Sequence, residues 1–539
     1  RLINRVLHIV FYLKNTKAKN SPRKMVILQA PPILPRLIRM ENKSGYRFVL
    51  LEQVIKDFAE FLFPGMEVES ANTFRITRDA DIEIAEDEAE DLLSEIEEQV
   101  RLRRWGKAAV RLEISGRMPE EIATYLREYL ALQPEDVYIH NRPLHLSDFM
   151  KLMKLDLHEL KDKTFSTRTI PEFVGDDVEL FPLIAKKDFM VHHPFDSFTN
   201  STLKFISQAA NDPNVVAIKI TLYRTGENTL LINSLKKASE AGKSVTAFVE
   251  LKARFDEENN IIWAKELEQA GVNVIYGVLG LKTHCKISVV VRNEEDKMRS
   301  YLHLSTGNYN HSTARLYTDL AIFTANEKFG QDAVNLFNYL TGYSNFADWN
   351  YFSVAPVGLA NKIISMIERE IELHTPENPG EINVKMNSLV QREVIIALYR
   401  ASQKGVKIKL MVRGVCSLRP NLPGISENIE VRSIIGRFLE HTRVFIFKNA
   451  GKKEYYLSSA DWMSRNLHRR VEIMFPVLQK NLQKRLDNLF KIYWKDNVKA
   501  WRLQPSGEYH KIQPNSGEKE FNSQAFLLEE TKELRDARK

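Results

Sequence analysis

The sequence predicts an α/β protein: two tandem α/β domains, at 171–350 and 351–505, preceded by an α+β domain at 1–170 and followed by a tail at 506–539. Three observations predict it. From about residue 171 strand-like and helical segments alternate, the pattern of a sheet flanked by helices. The same order of elements returns in the second half. Each half also carries a histidine–x–cation motif at the head of a strand-like run. The first is Thr283-His284-Cys285-Lys286, before Ile287-Ser288-Val289-Val290-Val291, and the second is Glu440-His441-Thr442-Arg443, before Val444-Phe445-Ile446-Phe447.

Taken in order, residues 1–170 mix strand-like and helical signals. The acidic stretch 79–100 sets Leu92, Leu93 and Ile96 at helical spacing, as on a solvated amphipathic helix, and 119–126 reads as a helix with Pro119 in its first turn. Nothing catalytic stands out there, which fits a scaffold or oligomerisation domain. In the next block 215–223 is apolar and β-branched, hence a buried strand. A helix follows at 229–241, closed by Gly242, then a strand at 244–251. A helix at 261–270 closed by Gly271, a strand at 272–276 and a helix at 329–341 complete the block. The second block repeats the plan with a helix at 394–403, closed near Gly405, and strands at 406–412 and 429–434. Leu235, Ala238, Ser239 and Gly242 align with Leu398, Ala401, Ser402 and Gly405, so the two blocks read as an internal duplication. The tail is polar, with a helical segment at 527–534, and is expected to be partly flexible.

A formal charge of +7 and a pI near 9.0 favour polyanionic partners where the cations cluster. Two cysteines, Cys285 and Cys416, exclude a disulfide framework and point to a reducing, cytoplasmic compartment. Cys285 alternates with His284 and Lys286, so it is expected to turn into packing. No apolar run has the length of a transmembrane span, which leaves peripheral membrane association open. The start, Arg1-Leu2-Ile3-Asn4-Arg5, shows neither an initiator Met nor a signal-peptide pattern, so the chain reads as a piece of a longer protein.

The duplicated motif is the candidate chemistry. Residues i and i+2 of a strand share a face, which puts His284 with Lys286 and His441 with Arg443. A polar cluster follows each copy, Ser305-Thr306-Gly307-Asn308-Tyr309-Asn310 and Ser458-Ser459-Ala460-Asp461-Trp462, beginning 21 and 17 residues after the histidine. Two such units facing each other would make a pocket of two imidazoles and several cations, suited to a phosphoryl group. A largely unprotonated imidazole is a competent nucleophile near neutral pH, and attack on phosphorus splits one displacement into two. A second histidine in reach can orient, donate a proton or hold the leaving oxygen. Arginine neutralises phosphate through its bidentate fork, and Arg224, Arg254 and Arg413 fall near predicted strand ends, where α/β sheets bind ligands. Lys282, Arg437, Arg465, Arg469 and Arg470 could line a path for a long anion. Neither a Walker-type loop nor a kinase His-Arg-Asp loop is present, and no cluster has zinc-ligand spacing.

The paired His-x-Lys motif resembles that of the phospholipase D superfamily, whose two histidines act as nucleophile and acid. That motif carries an Asp five positions after the Lys; Val291 and Lys448 stand there, and Arg443 replaces the second Lys. A closer resemblance is to bacterial polyphosphate kinases of the phospholipase D-like type. It is carried by Leu222-Tyr223-Arg224, by 250–257, by Thr283-His284-Cys285-Lys286, by 305–310, by 314–319, by Arg437-Phe438-Leu439-Glu440-His441 and by 457–463. It runs from about 40 to 505. It implies two phospholipase D-like domains, with His284 as the autophosphorylated nucleophile and His441 as the second active-site histidine. It further implies that Tyr317, Arg413 and His441 contact ATP and that Arg224 and Arg254 belong to the site associated with Mg²⁺. Arginine has no lone pair for a metal, so those two are expected to grip the phosphate oxygens that Mg²⁺ also bridges. The family carries an amino-terminal domain that helps hold adenine, and this chain is read as lacking it.

These readings combine into one expectation: an ATP:polyphosphate phosphotransferase, reversible, working through a phosphohistidine. ATP, ADP and inorganic polyphosphate are the expected partners, with Mg²⁺ as cofactor, a homo-oligomeric assembly and no nucleic acid. The alternatives are a phospholipase D-like phosphodiesterase or nuclease, and an inactive polyanion-binding module.

Overall fold

The computed structural model describes residues 2–16, 22–42, 44–79, 93–94, 96–97, 108–175, 177–226, 229–252, 257–278, 280–295, 297–342 and 348–536. The chain divides into two compact units, 1–85 with 89–162, and 86–88 with 163–539. The first is built on five strands, β1 (Leu7–Asn15), β2 (Lys24–Gln29), β5 (Met66–Arg78), β6 (Ala109–Ser115) and β7 (Val137–His140), in the order β2-β1-β5-β6-β7. Strands β3 (Leu37–Met40) and β4 (Arg47–Leu50) pair separately. The helix Glu120–Tyr129 packs Ile122 and Leu126 with Phe74 and Leu112 of the sheet, because positions i and i+4 share a face. Pro119 is the N-cap of that helix rather than a residue of its first turn, since its ψ of 141° is not helical. The acidic helix expected at 79–100 lies largely outside the described residues.

The second unit shows the duplication strand for strand. Its first half contains β8 (Phe189–His193), β9 (Val215–Leu222), β10 (Ser244–Val249), β11 (Asn273–Tyr276), β12 (Lys282–Thr283), β13 (Lys286–Glu294), β14 (Lys297–Ser305) and β15 (Tyr317–Thr324). Its second half contains β16 (Ser353–Ala355), β17 (Glu381–Met386), β18 (Lys407–Val412), β19 (Ile429–Ile434), β20 (Leu439–Glu440), β21 (Val444–Phe447), β22 (Glu454–Ser458) and β23 (Arg470–Pro476), then β24 (Ala500–Leu503) and β25 (Tyr509–Lys511). The first sheet runs β11-β10-β9-β13-β14-β15 with β8 beside β15; the second runs β19-β18-β17-β21-β22-β23 with β16 beside β23. The residues that align between the halves have physical work there. Leu235, Ala238, Leu398 and Ala401 are fully buried on the helices Thr229–Glu240 and Arg392–Gln403. Gly242 (φ +82°) and Gly405 (φ +97°) make the left-handed turns that end those helices, a conformation that costs glycine little.

Each half lends its short strand to the other's sheet. β12 of the first half pairs parallel with β23 of the second, at Lys282↔Arg470 and Thr283↔Val471. β20 of the second pairs parallel with β15 of the first, at Tyr317↔Leu439 and Thr318↔Glu440. One apolar cluster also spans both, joining Cys285, Leu304 and Ile322 to Val444, Leu457 and Ile473. Residues 506–539, read above as a tail, contribute β25 and the helix Ser523–Asp536, whose Gln524 is 2% exposed.

Candidate active site

The crossed strands set the site. Because Thr283 pairs with Val471, the next residues, His284 and Glu472, lie side by side; because Thr318 pairs with Glu440, so do Asp319 and His441. His284 Nδ1 lies 2.9 Å from the Glu472 carboxylate, and His441 Nδ1 lies 2.9 Å from Asp319. Each histidine of one half is therefore held by a carboxylate of the other. A hydroxyl backs each carboxylate from the polar cluster of its own half: Ser459 Oγ donates to Glu472 (2.6 Å) and Thr306 Oγ1 to Asp319 (2.7 Å). Asn466 Nδ2 also donates to Glu472. With Nδ1–H directed to an acceptor, the reactive lone pair of His284 is on Nε2.

Electrostatics keep that lone pair available. Burial, then the charges of Lys286, Arg470, Arg443 and His441, hold His284 well below its ordinary 6.5. Arg443 also links the halves directly, its Nη1 donating to the Thr306 carbonyl of the first. Burial pushes the Glu472 carboxyl up, against the pull of Lys286 and Arg470. His441 is lowered by burial and by Arg443, while Asp319 opposes. Arg443 Nη2 donates to Asp461 (3.0 Å), and its Nη1 donates to the carbonyls of Thr306 and His441 (3.1 Å each) and lies 3.1 Å from His441 Nε2. Lys286 shares the neighbourhood but is 1% exposed and donates back to the His284 carbonyl; burial brings its pKa down to about 7.

Of the other predicted residues, Tyr317 sets its ring 5.5 Å from that of His441. Arg413 Nε donates to the Glu440 carbonyl (2.9 Å), which fixes its guanidinium beside His441, and its Nη2 donates to Asn387 Oδ1 (3.1 Å). Arg224 lies 5.4 Å from the ring of Tyr223, which meets His284 edge-on at 4.8 Å. Arg254 lies outside the described residues. Cys285 is buried in the apolar cluster, as its alternation requires. Among the described residues no group of three His, Cys, Asp or Glu side chains could hold a metal ion. A Mg²⁺ carried on substrate phosphates needs no such group, since phosphate oxygens and water hold most of its coordination shell.

Sequence reasoning missed the carboxylates. Asp319 and Glu472 stand 35 residues after His284 and 31 after His441, each heading an apolar strand, so matching the two halves further along would have flagged them as a pair. It also missed Gln524. Its amide donates to the Phe438 carbonyl (2.9 Å) and to Glu440 (2.6 Å) and accepts from Phe438 N (2.9 Å). Glu440 in turn accepts from Thr318 Oγ1 (2.8 Å), which accepts from His441 N (3.1 Å), so the last helix braces the second histidine.

Comparison with known proteins places this arrangement. The chain matches the models of the polyphosphate kinase middle domain over 1–152, of C-terminal domain 1 over 179–346 and of C-terminal domain 2 over 352–524. It is 44% identical to a polyphosphate kinase of Halalkalibacterium halodurans, over 99% of this chain and 76% of that one. It is 48% identical to one of Synechocystis, over 93% and 72%. The crystal structure of polyphosphate kinase from Porphyromonas gingivalis superposes with a TM-score of 0.85 at 31% identity, over 99% of this chain and 78% of that one. The fold and these relatives define a phosphotransferase. The chain belongs to the polyphosphate kinase family.

Proposed function

We propose that the chain moves the γ-phosphoryl group of ATP to the end of a polyphosphate chain, reversibly, through a phosphate carried on His284. The crossed histidine–carboxylate pairs are the observation that carries this reading. The His284 Nε2 lone pair attacks the γ-phosphorus; an N–P bond forms, the bond to the β-bridging oxygen breaks, and ADP leaves with that electron pair. The ring is cationic while it holds phosphate and keeps its Nδ1–H, and Glu472 beside that proton stabilises the charge. A terminal oxygen of polyphosphate then attacks the same phosphorus, breaks the N–P bond and restores neutral His284.

His441, Tyr317 and Arg413 are assigned to the nucleotide. The negative phosphates raise the pKa of His441 on binding, so a protonated Nε2 can hold the leaving oxygen. Arg224 and Arg254 are assigned to phosphate oxygens, together with Mg²⁺ arriving on ATP. No helix among the described residues is long and apolar enough to cross a membrane. A homo-oligomer and a cytoplasmic or membrane-peripheral location are part of the same proposal, as is the division at 170 and 350; the boundary at 505 is not kept, because β24 and β25 pair across it.

Incubation with γ-labelled ATP tests the reading. Wild type is expected to acquire an acid-labile label, and His284→Ala to acquire none. Acid-labile label persisting on His284→Ala would overturn the nucleophile assignment. Cleavage of bis-p-nitrophenyl phosphate without ATP would favour a phosphodiesterase instead.

A further inference from the structure

The edge of the second sheet carries a cavity of about 650 Å³ that the catalytic reading does not use. Six basic residues line it: Arg432, Lys495, Arg502, His510, Lys511 and Lys519. Two carboxylates also line it, and both accept hydrogen bonds within its wall. Asp496 is buried and accepts from the N–H groups of Val498, Lys499 and Ser523. Glu518 accepts from the backbone and side chain of Asn515. Arg432 and Arg502 share Glu430, at 2.8 and 3.0 Å. Both carboxylates keep their charge while accepting these bonds, but the five lysines and arginines outnumber them, and Lys495, Lys511 and Lys519 are exposed and have no ion-pair partner among the described residues.

Those lysines come from three separate segments: the end of the helix Lys480–Lys495, the end of β25, and the loop before Phe521. The fold brings them to one concavity, so the basic cluster is not a contiguous run of charge. One ammonium suffices for one phosphate. Three around a single cavity suit an extended polyanion, gripped by point charges without fixed geometry.

We propose that this cavity is an accessory site for condensed phosphate, holding a stretch of polyphosphate behind its reacting end. The proposal rests on the phosphotransferase reading above. The cavity wall also leads back to the catalytic site. Asn497 Oδ1 accepts from Phe521 N (2.7 Å), Asp496 holds Ser523, and the next residue, Gln524, braces Glu440 beside His441.

The test compares the full chain with its Lys495→Glu/Lys511→Glu/Lys519→Glu variant, using tripolyphosphate and long-chain polyphosphate as acceptors. A short acceptor reaches only the catalytic site, whereas a long one gains avidity from both. The variant is expected to be labelled by ATP at the wild-type rate and to keep its KM for tripolyphosphate. Its KM for the long chain should rise about tenfold, as one of two linked contacts is lost. A triple Lys→Arg variant, which keeps the charge, should behave as wild type. An unchanged long-chain KM in the Glu variant would overturn the proposal, as would equal losses with both acceptors. Better competition by single-stranded RNA than by polyphosphate for the wild-type site would overturn it too. Failure of wild type itself to make polymer would instead remove the underlying reading of function.

Discussion

At the scale of single residues, the two histidines differ from ordinary buried histidines because a carboxylate fixes which nitrogen carries the proton. Glu472→Gln keeps the size of the side chain but removes the charge, and its amide can present an N–H to Nδ1, which favours the wrong tautomer. The expected loss in kcat is about 10²- to 10⁴-fold with little change in KM for ATP, measured by steady-state kinetics. A loss below about threefold would mean that Glu472 only fills space. The pH dependence follows from the lowered pKa of His284. A neutral imidazole is the reactive form, so with ATP well below saturation, where the profile reports the free enzyme, ionisation of His284 takes nothing from the labelling rate as pH falls from about 8 to 6.5; that loss comes only as pH drops through the folded pKa, below the ordinary 6.5. A half-maximal rate at pH 6.5 or above in a pre-steady-state labelling series would contradict the burial argument.

At the scale of elements, the loop after β14 and the strand β15 meet closely behind His441. A Cβ on Gly307 would stand 2.2 Å from Asp319 Oδ2, with the Asp319 Cβ at 2.7 Å, so the carboxylate could not swing clear without leaving its histidine. Gly307→Ala is expected to lower kcat at least tenfold and to cost about 1–3 kcal/mol of stability, the range for overpacking. Paired thermal melts and kinetics check this; wild-type values of both would show that β15 yields. The predicted elements were legible here to within a few residues. The strand expected at 429–434 is observed as Ile429–Ile434, and the helix expected at 329–341 as Glu327–Leu340, because apolar periodicity and closing residues are local signals. The two-residue strands β12 and β20 were not legible, since nothing local distinguishes them from loop.

At the scale of the whole molecule, the two halves cannot be independent. They share one apolar cluster, and each supplies the strand and the carboxylate that the other's histidine needs. The second half expressed alone, residues 352–536, would expose Val444, Leu457 and Ile473 where they meet the first half and would lose Asp319. It is expected to lack a cooperative melt by near-ultraviolet circular dichroism; a sharp transition like that of the full chain would show that the halves are separate domains.

The sequence by itself determined the duplication, the alternation of strands and helices and the two histidines, because each is written in local periodicity or in residues repeated at matching places. Tertiary structure decided which acid serves which histidine. A reading within either half would have looked for each partner nearby, yet Glu472 lies 188 residues from His284 and Asp319 122 from His441. Only the parallel register of β12 on β23 and of β20 on β15 exchanges them. The same holds for Gln524, whose amide meets Glu440 because the last helix folds back against the strand before the second histidine. Such pairings depend on strand register and packing across the whole unit, which no local pattern encodes.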